Sequence, residues 1–184
     1  KRQVWYNNEY EEMTNTDKGN TIASLSLSTA NPAHLLYYAT ENGGVYKVAD
    51  ANSGDNLPTD ISPTGAPATG WPISIQVNPE DGNEVLLIYS NYEVISVWHT
   101  SDGGTNWTNV GGNLEENTDG SGNGPSVRWG IILPYSGQKY YLVGTSVGVW
   151  STSLLNGTST VWGLEGANTI GNVVVAALAG RASD

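Results

Sequence analysis

The sequence feature that most constrains the fold is a short motif that recurs at a constant interval. Val45-Tyr46, Val97-Trp98 and Val149-Trp150 follow one another at a spacing of 52 residues. Two apolar stretches precede each pair, and small residues separate the second stretch from the pair. Self-similarity at such a period is typical of architectures that stack one supersecondary unit after another. The sequence therefore predicts a repeat protein.

Each repeat has the composition of a small β-meander. The first apolar stretches are 21–29, 72–78 and 127–133, the second are 35–40, 85–90 and 140–145, and further short stretches follow at 107–110 and 160–164. Four short strands per unit at this period predict an all-β fold built from β-propeller blades of four antiparallel strands. We place the blades approximately at residues 21–70, 71–126 and 127–171.

The two ends of the sequence look like parts of further blades. Val4-Trp5-Tyr6 predicts an outer strand of a preceding blade within residues 1–20, and residues 172–184 predict the inner strand of a following one. Three blades do not close a ring, because propellers typically have about four to eight. We therefore expect residues 1–184 to be one fragment of a larger propeller, packed against the remainder of that propeller in the parent chain. Ring closure by oligomerisation is the alternative.

The octapeptide 100–107, Thr-Ser-Asp-Gly-Gly-Thr-Asn-Trp, carries a turn signature. Asp-Gly-Gly tolerates positive φ, and the Asp carboxylate can accept hydrogen bonds from turn amides. With Thr100, Asp102, Gly104 and Trp107 in place, it resembles the Asp-box, or BNR repeat, of sialidase-like and sortilin-like β-propellers. The resemblance implies a structural staple between the two outer strands of a blade, away from the usual active site. Leu154 replaces the acid in the third unit, so we expect that hairpin to be held in another way.

Two further stretches carry softer resemblances. Residues 77–86, taken with 110–114, look like blades of secreted propellers related to xyloglucanases and sortilin. Residues 162–175 resemble the last blades of secreted Bacteroidetes-type proteins. These resemblances imply an exported protein, extracellular or at the cell surface.

Composition excludes several classes of function. The net charge of −11 disfavours nucleic acid as a partner, because an acidic surface repels phosphates. The absence of cysteine removes disulfides and thiolate metal sites, and no apolar run reaches the roughly 18 residues that membrane insertion needs. His34 and His99 lie apart in the sequence. We expect no metal site and no cofactor.

Candidate ligand-binding residues lie where long loops lead into inner strands. The loops 53–70 and 111–125 end next to Trp71 and the pair Arg128-Trp129, which we place at equivalent positions of successive blades. Indoles suit the faces of sugars, and an arginine can pair with a carboxylate or hydroxyl. The alternatives are that the indoles seal blade against blade and that Arg128 is a surface cation.

Catalysis would need acids that the sequence supplies only weakly. Glycoside hydrolases normally use two carboxylates, and the candidates near the expected ligand face are Glu115, Glu116, Asp119 and Asp60, which fit a solvated loop equally well. We predict an extracellular module that binds a polysaccharide or an extracellular protein through its long loops. The alternative is a glycoside hydrolase, xyloglucanase-like or sialidase-like, whose catalytic acids lie partly outside this fragment. A purely structural set of blades is the third option.

Overall fold

The computed structural model describes residues 2–6, 9–13, 21–67 and 70–180, and its regular structure is almost entirely β. The strands are β1 (Arg2–Tyr6), β2 (Glu9–Met13), β3 (Ile22–Leu27), β4 (Leu36–Thr40), β5 (Val45–Val48), β6 (Thr59–Asp60), β7 (Trp71–Asn78), β8 (Asp81–Ser90), β9 (Val97–Thr100), β10 (Thr108–Asn109), β11 (Val127–Tyr135), β12 (Gln138–Thr145), β13 (Gly148–Thr152) and β14 (Gly163–Leu164). One turn of 3-10 helix covers Gly112–Leu114. Within the described ranges, no helix is long and apolar enough to cross a membrane.

Twelve of these strands form three antiparallel sheets of four strands each. Their orders are β3-β4-β5-β6, β7-β8-β9-β10 and β11-β12-β13-β14, so every strand pairs with its neighbour in the chain. This is the meander of a propeller blade, and the predicted all-β architecture of four-stranded blades is confirmed. We refer to the three sheets as the first, second and third blades.

Both ends of the described chain lie outside these blades. β1 and β2 pair only with each other, as a two-stranded antiparallel sheet. Residues 172–180 run beside the third blade, where the Val175 N–H donates to the Thr145 carbonyl at 2.9 Å. A Cβ at Gly144 would lie 2.8 Å from Val175, so glycine permits this close approach. Residues 14–20 and 181–184, which belong to the two predicted partial blades, lie outside the described residues.

Of the three apolar clusters among the described residues, two lie between blades and one belongs to the first blade alone. One cluster joins the first and second blades and includes Tyr37, Ile75 and Leu87, and another joins the second and third and includes Leu86 and Val127. Consecutive residues of a strand point to opposite faces of the sheet, so β8 serves both clusters. This explains why residues 85–89 of β8 form a continuous apolar run rather than an alternating one.

Each inner strand carries the same irregularity near its start. The pairing with the second strand shifts between Ile22 and Ser24, between Pro72 and Ser74, and between Val127 and Trp129. The extra residue of such a β-bulge bends the strand and re-aims side chains. The extra residues are Ala23, Ile73 and Arg128.

The meander gives each blade two ends, one with loops and one with tight turns. At the end that we call the loop face, the segments 61–67 and 110–126 precede β7 and β11, and the segment 91–96 joins β8 to β9. At the opposite end, which we call the turn face, lie the hairpins β7–β8 and β11–β12 and the turns that enter the outermost strands, including the octapeptide.

Candidate functional site

Trp71 is the first residue of β7 and lies at the loop face. Its side chain is 67% exposed, the largest exposed aromatic surface among the described residues. An exposed indole beside the start of an inner strand can contact a ligand through its apolar ring. The alternative that Trp71 seals one blade against the next does not fit this exposure.

Arg128 and Trp129 lie at the β-bulge of β11, and both carry buried donors without partners. Neither the Arg128 Nε nor the Trp129 Nε1 has a hydrogen-bond partner, and Ser74, at the corresponding bulge of β7, has a buried Oγ without one. In the described part of the chain, the salt bridges involve Glu84 with His99 and Lys139, and none involves Arg128. Buried polar groups are nearly always hydrogen-bonded in folded proteins, so these unpaired donors mark an unusual place.

We expected Trp71 and the Arg128-Trp129 pair to occupy equivalent positions of successive blades. The register of the strands shows that they do not. Trp71 pairs with Ser90 and comes before the bulge, whereas Arg128 is itself the extra residue of the bulge in β11. By the same register, Ser74 rather than Trp71 corresponds to Trp129. Both strands carry the bulge, so it does not shift one against the other. The error comes from aligning the two tryptophans with each other, whereas the pairing of the strands sets the equivalence.

The loop acids are engaged inside their own loops. Glu115 accepts a hydrogen bond from the Ser96 N–H at 2.9 Å, which ties the segment 110–126 to the segment 91–96. Burial raises the pKa of Glu115, although the hydrogen bonds from Ser96 oppose this. Glu116 accepts from the backbone and side chain of Asn123.

Asp119 and Asp60 make the same local turn. The Asp119 Oδ1 accepts from the N–H and hydroxyl of Ser121, and the hydrogen bonds from Ser121 lower the pKa of Asp119. The Asp60 Oδ1 accepts from the N–H and hydroxyl of Ser62 in the same way. Asp60 lies on β6 opposite Tyr46, not in a loop as the sequence had suggested, because the segment 53–70 contains a fourth strand. Short side-chain turns of this kind are a common structural use of aspartate.

The octapeptide forms a hairpin turn in which Asp102 is the central acceptor. The Asp102 Oδ1 accepts from the Asn106 N–H at 2.9 Å and from the Thr100 hydroxyl at 2.8 Å, and its Oδ2 accepts from the Asn106 side chain at 2.7 Å. These bonds, led by that from the Asn106 backbone, lower the pKa of Asp102 to about 2. Gly104 has φ +89° and donates its N–H to the Thr100 hydroxyl. Asp102 therefore organises the turn.

Trp107 connects this turn to the first blade, and the connection is repeated in the next unit. The Trp107 indole N–H donates to the Ile61 carbonyl at 2.6 Å, and the Trp162 indole N–H donates to the Val110 carbonyl at 2.9 Å. Ile61 and Val110 are equivalent, since their N–H groups bond to the carbonyls of Val45 and Val97. We call these two bonds the tryptophan latches.

The third hairpin is held without the acid that Leu154 replaces. Thr152 and Leu154 bond to each other through the Thr152 hydroxyl, and the Asn156 N–H donates to the Thr160 hydroxyl. The Asn113 side chain then clamps the backbone of Trp162, accepting from its N–H at 2.6 Å and donating to its carbonyl at 3.0 Å.

A buried polar network that the sequence did not suggest joins the second and third blades at the turn face. Glu84, on β8, is 3% exposed. Its carboxylate accepts hydrogen bonds from four side chains, namely Asn78 at 2.5 Å, His99 at 3.0 Å, Lys139 at 2.5 Å and Tyr141 at 2.6 Å. Burial raises the pKa of Glu84, but these hydrogen bonds outweigh it and lower the pKa to about 2.

The network lines a pocket of about 500 Å³ between the two blades. Among the described residues, no group of three or more His, Asp or Glu side chains is placed to hold a metal ion. The sequence signal for the network was weak, because its members come from β7, β8, β9 and β12 and no spacing links them. Glu84 follows Asp81-Gly82-Asn83 and directly precedes the apolar run 85–89, so nothing in the sequence sets it apart as a buried acid.

Comparisons with known proteins agree with the architecture. No protein-family model matches the sequence. A search of curated proteins also gave no match. Among solved structures, a structure described as YCF48 bound to a D1 peptide matches with a TM-score of 0.56 and 17% sequence identity. The match covers 83% of this chain and 42% of that one, so the chain spans less than half the length of its neighbour. The likeness shows that this chain has a β-propeller fold.

Proposed function

We propose that this chain is a binding module whose loop face binds an extended peptide segment of a protein partner. The observation that carries the proposal is the buried Arg128 Nε without a hydrogen-bond partner at the bulge of β11, beside the Trp129 indole N–H, which also has none. A buried donor without an acceptor costs about 1–3 kcal/mol. A ligand that supplies acceptors at this point removes that cost and gains the bonds.

Charge identifies what Arg128 would bind. The chain has 18 acidic residues against 7 basic ones, yet none of the acids among the described residues pairs with this arginine. A guanidinium presents a planar fork of donors that fits a carboxylate or a row of carbonyl oxygens. The peptide would place a carboxylate at Arg128, and the exposed ring of Trp71 would contact an apolar side chain of the same peptide.

The structural neighbour supports the class of ligand but not its identity. YCF48 was solved with a D1 peptide bound. Propellers are platforms on which many unrelated ligands are bound, so the shared fold supports a protein partner only in general terms. The unpaired donors of Arg128 and Trp129 indicate where the peptide would bind on this chain.

The test is a titration with a selected peptide. A displayed library of short peptides would be panned on the protein, and the selected peptides titrated by calorimetry against wild type, Arg128→Gln and Trp71→Ala. Tyr135→Ala, an exposed aromatic on the turn face, is the matched control. We expect Arg128→Gln to weaken binding about tenfold and Tyr135→Ala to leave it unchanged. Binding that is insensitive to both loop-face variants would contradict the proposal.

A second candidate ligand is a carbohydrate, and the exposed indole of Trp71 favours it. A flat aromatic surface stacks on the apolar face of a sugar ring. A glycan array probed with wild type and Trp71→Ala tests this candidate, since a sugar held by this ring would be lost in the variant.

We do not assign hydrolysis to the four candidate acids. Retaining and inverting glycosidases hold two carboxylates about 5–10 Å apart across the scissile bond. Here Glu115, Glu116, Asp119 and Asp60 each accept hydrogen bonds that close a local turn or loop. The glycoside hydrolase alternative therefore depends on acids outside these residues.

We also propose that the chain is an exported Asp-box propeller. The hydrogen bonds of Asp102 and the latch of Trp107 support the Asp-box assignment. The acidic, cysteine-free composition is compatible with an extracellular location. Fractionation of the source cells, with an antibody against this chain, tests the location.

A further inference from the structure

The interface between the first and second blades holds a pocket of about 350 Å³, lined by Thr64 and residues 60–62 and 104–107, but this pocket does not extend to Lys47. The octapeptide turn packs onto the first blade, where the Gly103 carbonyl accepts a hydrogen bond from the Lys47 ammonium at 2.7 Å. A Cβ at Gly104 would lie 2.6 Å from Ile61, so the turn rests directly on that side chain.

At the corresponding interface between the second and third blades, the pocket does extend to this position, because His99 is part of its lining. His99 takes the position of Lys47, since each lies opposite a threonine of the outermost strand. It bonds to Glu84 within its own blade and not to the next turn. Leu154 and Leu155 stand where the first interface has Asp102 and Gly103. The space left is about 500 Å³, a size typical of ligand sites.

The charge of the pocket is negative. The Lys139 ammonium lies 2.5 Å from the Glu84 carboxylate, so these two opposite charges cancel. The Asp81 carboxylate, which also lines the pocket, then gives the pocket its negative charge. The Asp81 Oδ1 accepts the Asn83 N–H at 2.9 Å, and no cation in the described part of the chain pairs with Asp81. The net charge of −11 adds a long-range field that attracts cations.

The remaining walls suit a side chain that is apolar along its length and polar at its tip. Leu154 is 71% exposed and lies beside Leu155 on one wall. Ser101, Thr108 and Ser153 also line the pocket, and within the described ranges their hydroxyls make no hydrogen bond. Lysine and arginine side chains combine an apolar stem with a cationic head.

From these observations we infer that the pocket between the second and third blades binds the cationic side chain of a basic peptide. The cationic head of that side chain would pair with the Asp81 carboxylate and with the hydroxyls that line the pocket. Its apolar stem would lie against Leu154 and Leu155. This site lies at the opposite end of the blades from Arg128 and would bind the opposite charge. It is therefore a second site, beyond the proposed function.

The experiment titrates the protein with a capped tetralysine peptide and, separately, with a capped tetraserine peptide, at low ionic strength. Asp81→Asn removes the charge and keeps the oxygen that accepts from Asn83. Glu41→Gln is the matched control, because it removes the same charge from an exposed turn at the loop face. We expect Asp81→Asn to weaken tetralysine binding about tenfold and Glu41→Gln to change it less than about twofold.

A steric pair of variants tests the pocket itself. Thr108→Trp would fill the pocket and abolish tetralysine binding, whereas Thr59→Trp, at the equivalent place on the first blade, would not. Both positions are exposed on short outermost strands, so neither change disturbs a core.

Equal losses in Asp81→Asn and Glu41→Gln would overturn the proposal in favour of general attraction to an acidic surface. No binding of tetralysine, equal binding of tetraserine, or full binding by Thr108→Trp would overturn it too. Arg128→Gln separates the two sites, since it should leave tetralysine binding unchanged whatever the outcome at the loop face.

Discussion

Replacing Glu84 by glutamine should destabilise the protein in a way that depends on pH. The carboxylate receives four donors, and an amide offers one oxygen and an NH₂ group that opposes the remaining donors. The substitution also leaves the Lys139 ammonium without its counter-ion. Because Lys139 is 40% exposed, water reduces this second cost.

The loss of unfolding free energy at neutral pH can be derived in two ways. Removing one partner of a buried ion pair costs about 3–5 kcal/mol, and the exposure of Lys139 points to the lower end. Independently, the pKa of Glu84 falls from 4.5 to about 2 on folding, which corresponds to about 3 kcal/mol at about 1.4 kcal/mol per pH unit. We expect Glu84→Gln to lose about 3 kcal/mol of unfolding free energy at pH 7.

The sign of the pH dependence follows from the lowered pKa. The stabilisation is fully present above the unfolded pKa near 4.5 and is lost as the pH falls towards about 2. Urea unfolding of wild type and Glu84→Gln at pH 7 and pH 3 should show the difference narrowing by about 2 kcal/mol. Glu41→Gln, on an exposed turn, is the control. A difference that stays constant with pH, or one below about 1 kcal/mol at pH 7, would refute this account of the network.

Three further predictions concern stability. Trp162→Phe keeps an aromatic ring but leaves the Val110 carbonyl unpaired, so urea unfolding should show a loss of about 1–3 kcal/mol, and a neutral result would contradict the latch. Gly104→Ala should cost about 2 kcal/mol or more by the same assay, because φ is +89° and the new Cβ would meet Ile61; retained stability would disprove this packing. Arg128→Met should leave the melting temperature unchanged or raised, since it removes an unpaired buried donor, while peptide binding is lost; a clear drop in melting temperature would show that Arg128 has a structural role.

The sequence could predict the blades because their signals are periodic. The 52-residue spacing and the strand-length apolar runs place most strands of the three sheets, and the tight turn around Asp102 follows from residue types alone. β6 was missed, because Thr59–Asp60 is two residues long within a proline-containing loop.

The site was less predictable because it depends on register and on distant contacts. Trp71, Arg128 and Trp129 were correctly placed near the starts of inner strands. Trp71 lies two residues before the bulge of its strand, however, whereas Arg128 is the extra residue of the bulge, and only the pairing of the strands reveals this difference. The partners of Glu84 lie up to 57 residues away, and no local pattern specifies them. Which acids serve only to close a turn, as Asp119 does, became visible only from their hydrogen bonds.

The tryptophan latches join neighbouring blades even where the sequences of the turns before them differ. Trp162 reaches the Val110 carbonyl although its hairpin has lost the aspartate and both glycines of the octapeptide. The indole bond thus recurs at both interfaces although the turns before it are held differently, by Asp102 in one hairpin and by Thr152, Thr160 and Asn113 in the other. In a repeat of this design, the residues of a turn can change, and with them the shape and polarity of the space between neighbouring blades, while the indole hydrogen bond that joins those blades is kept.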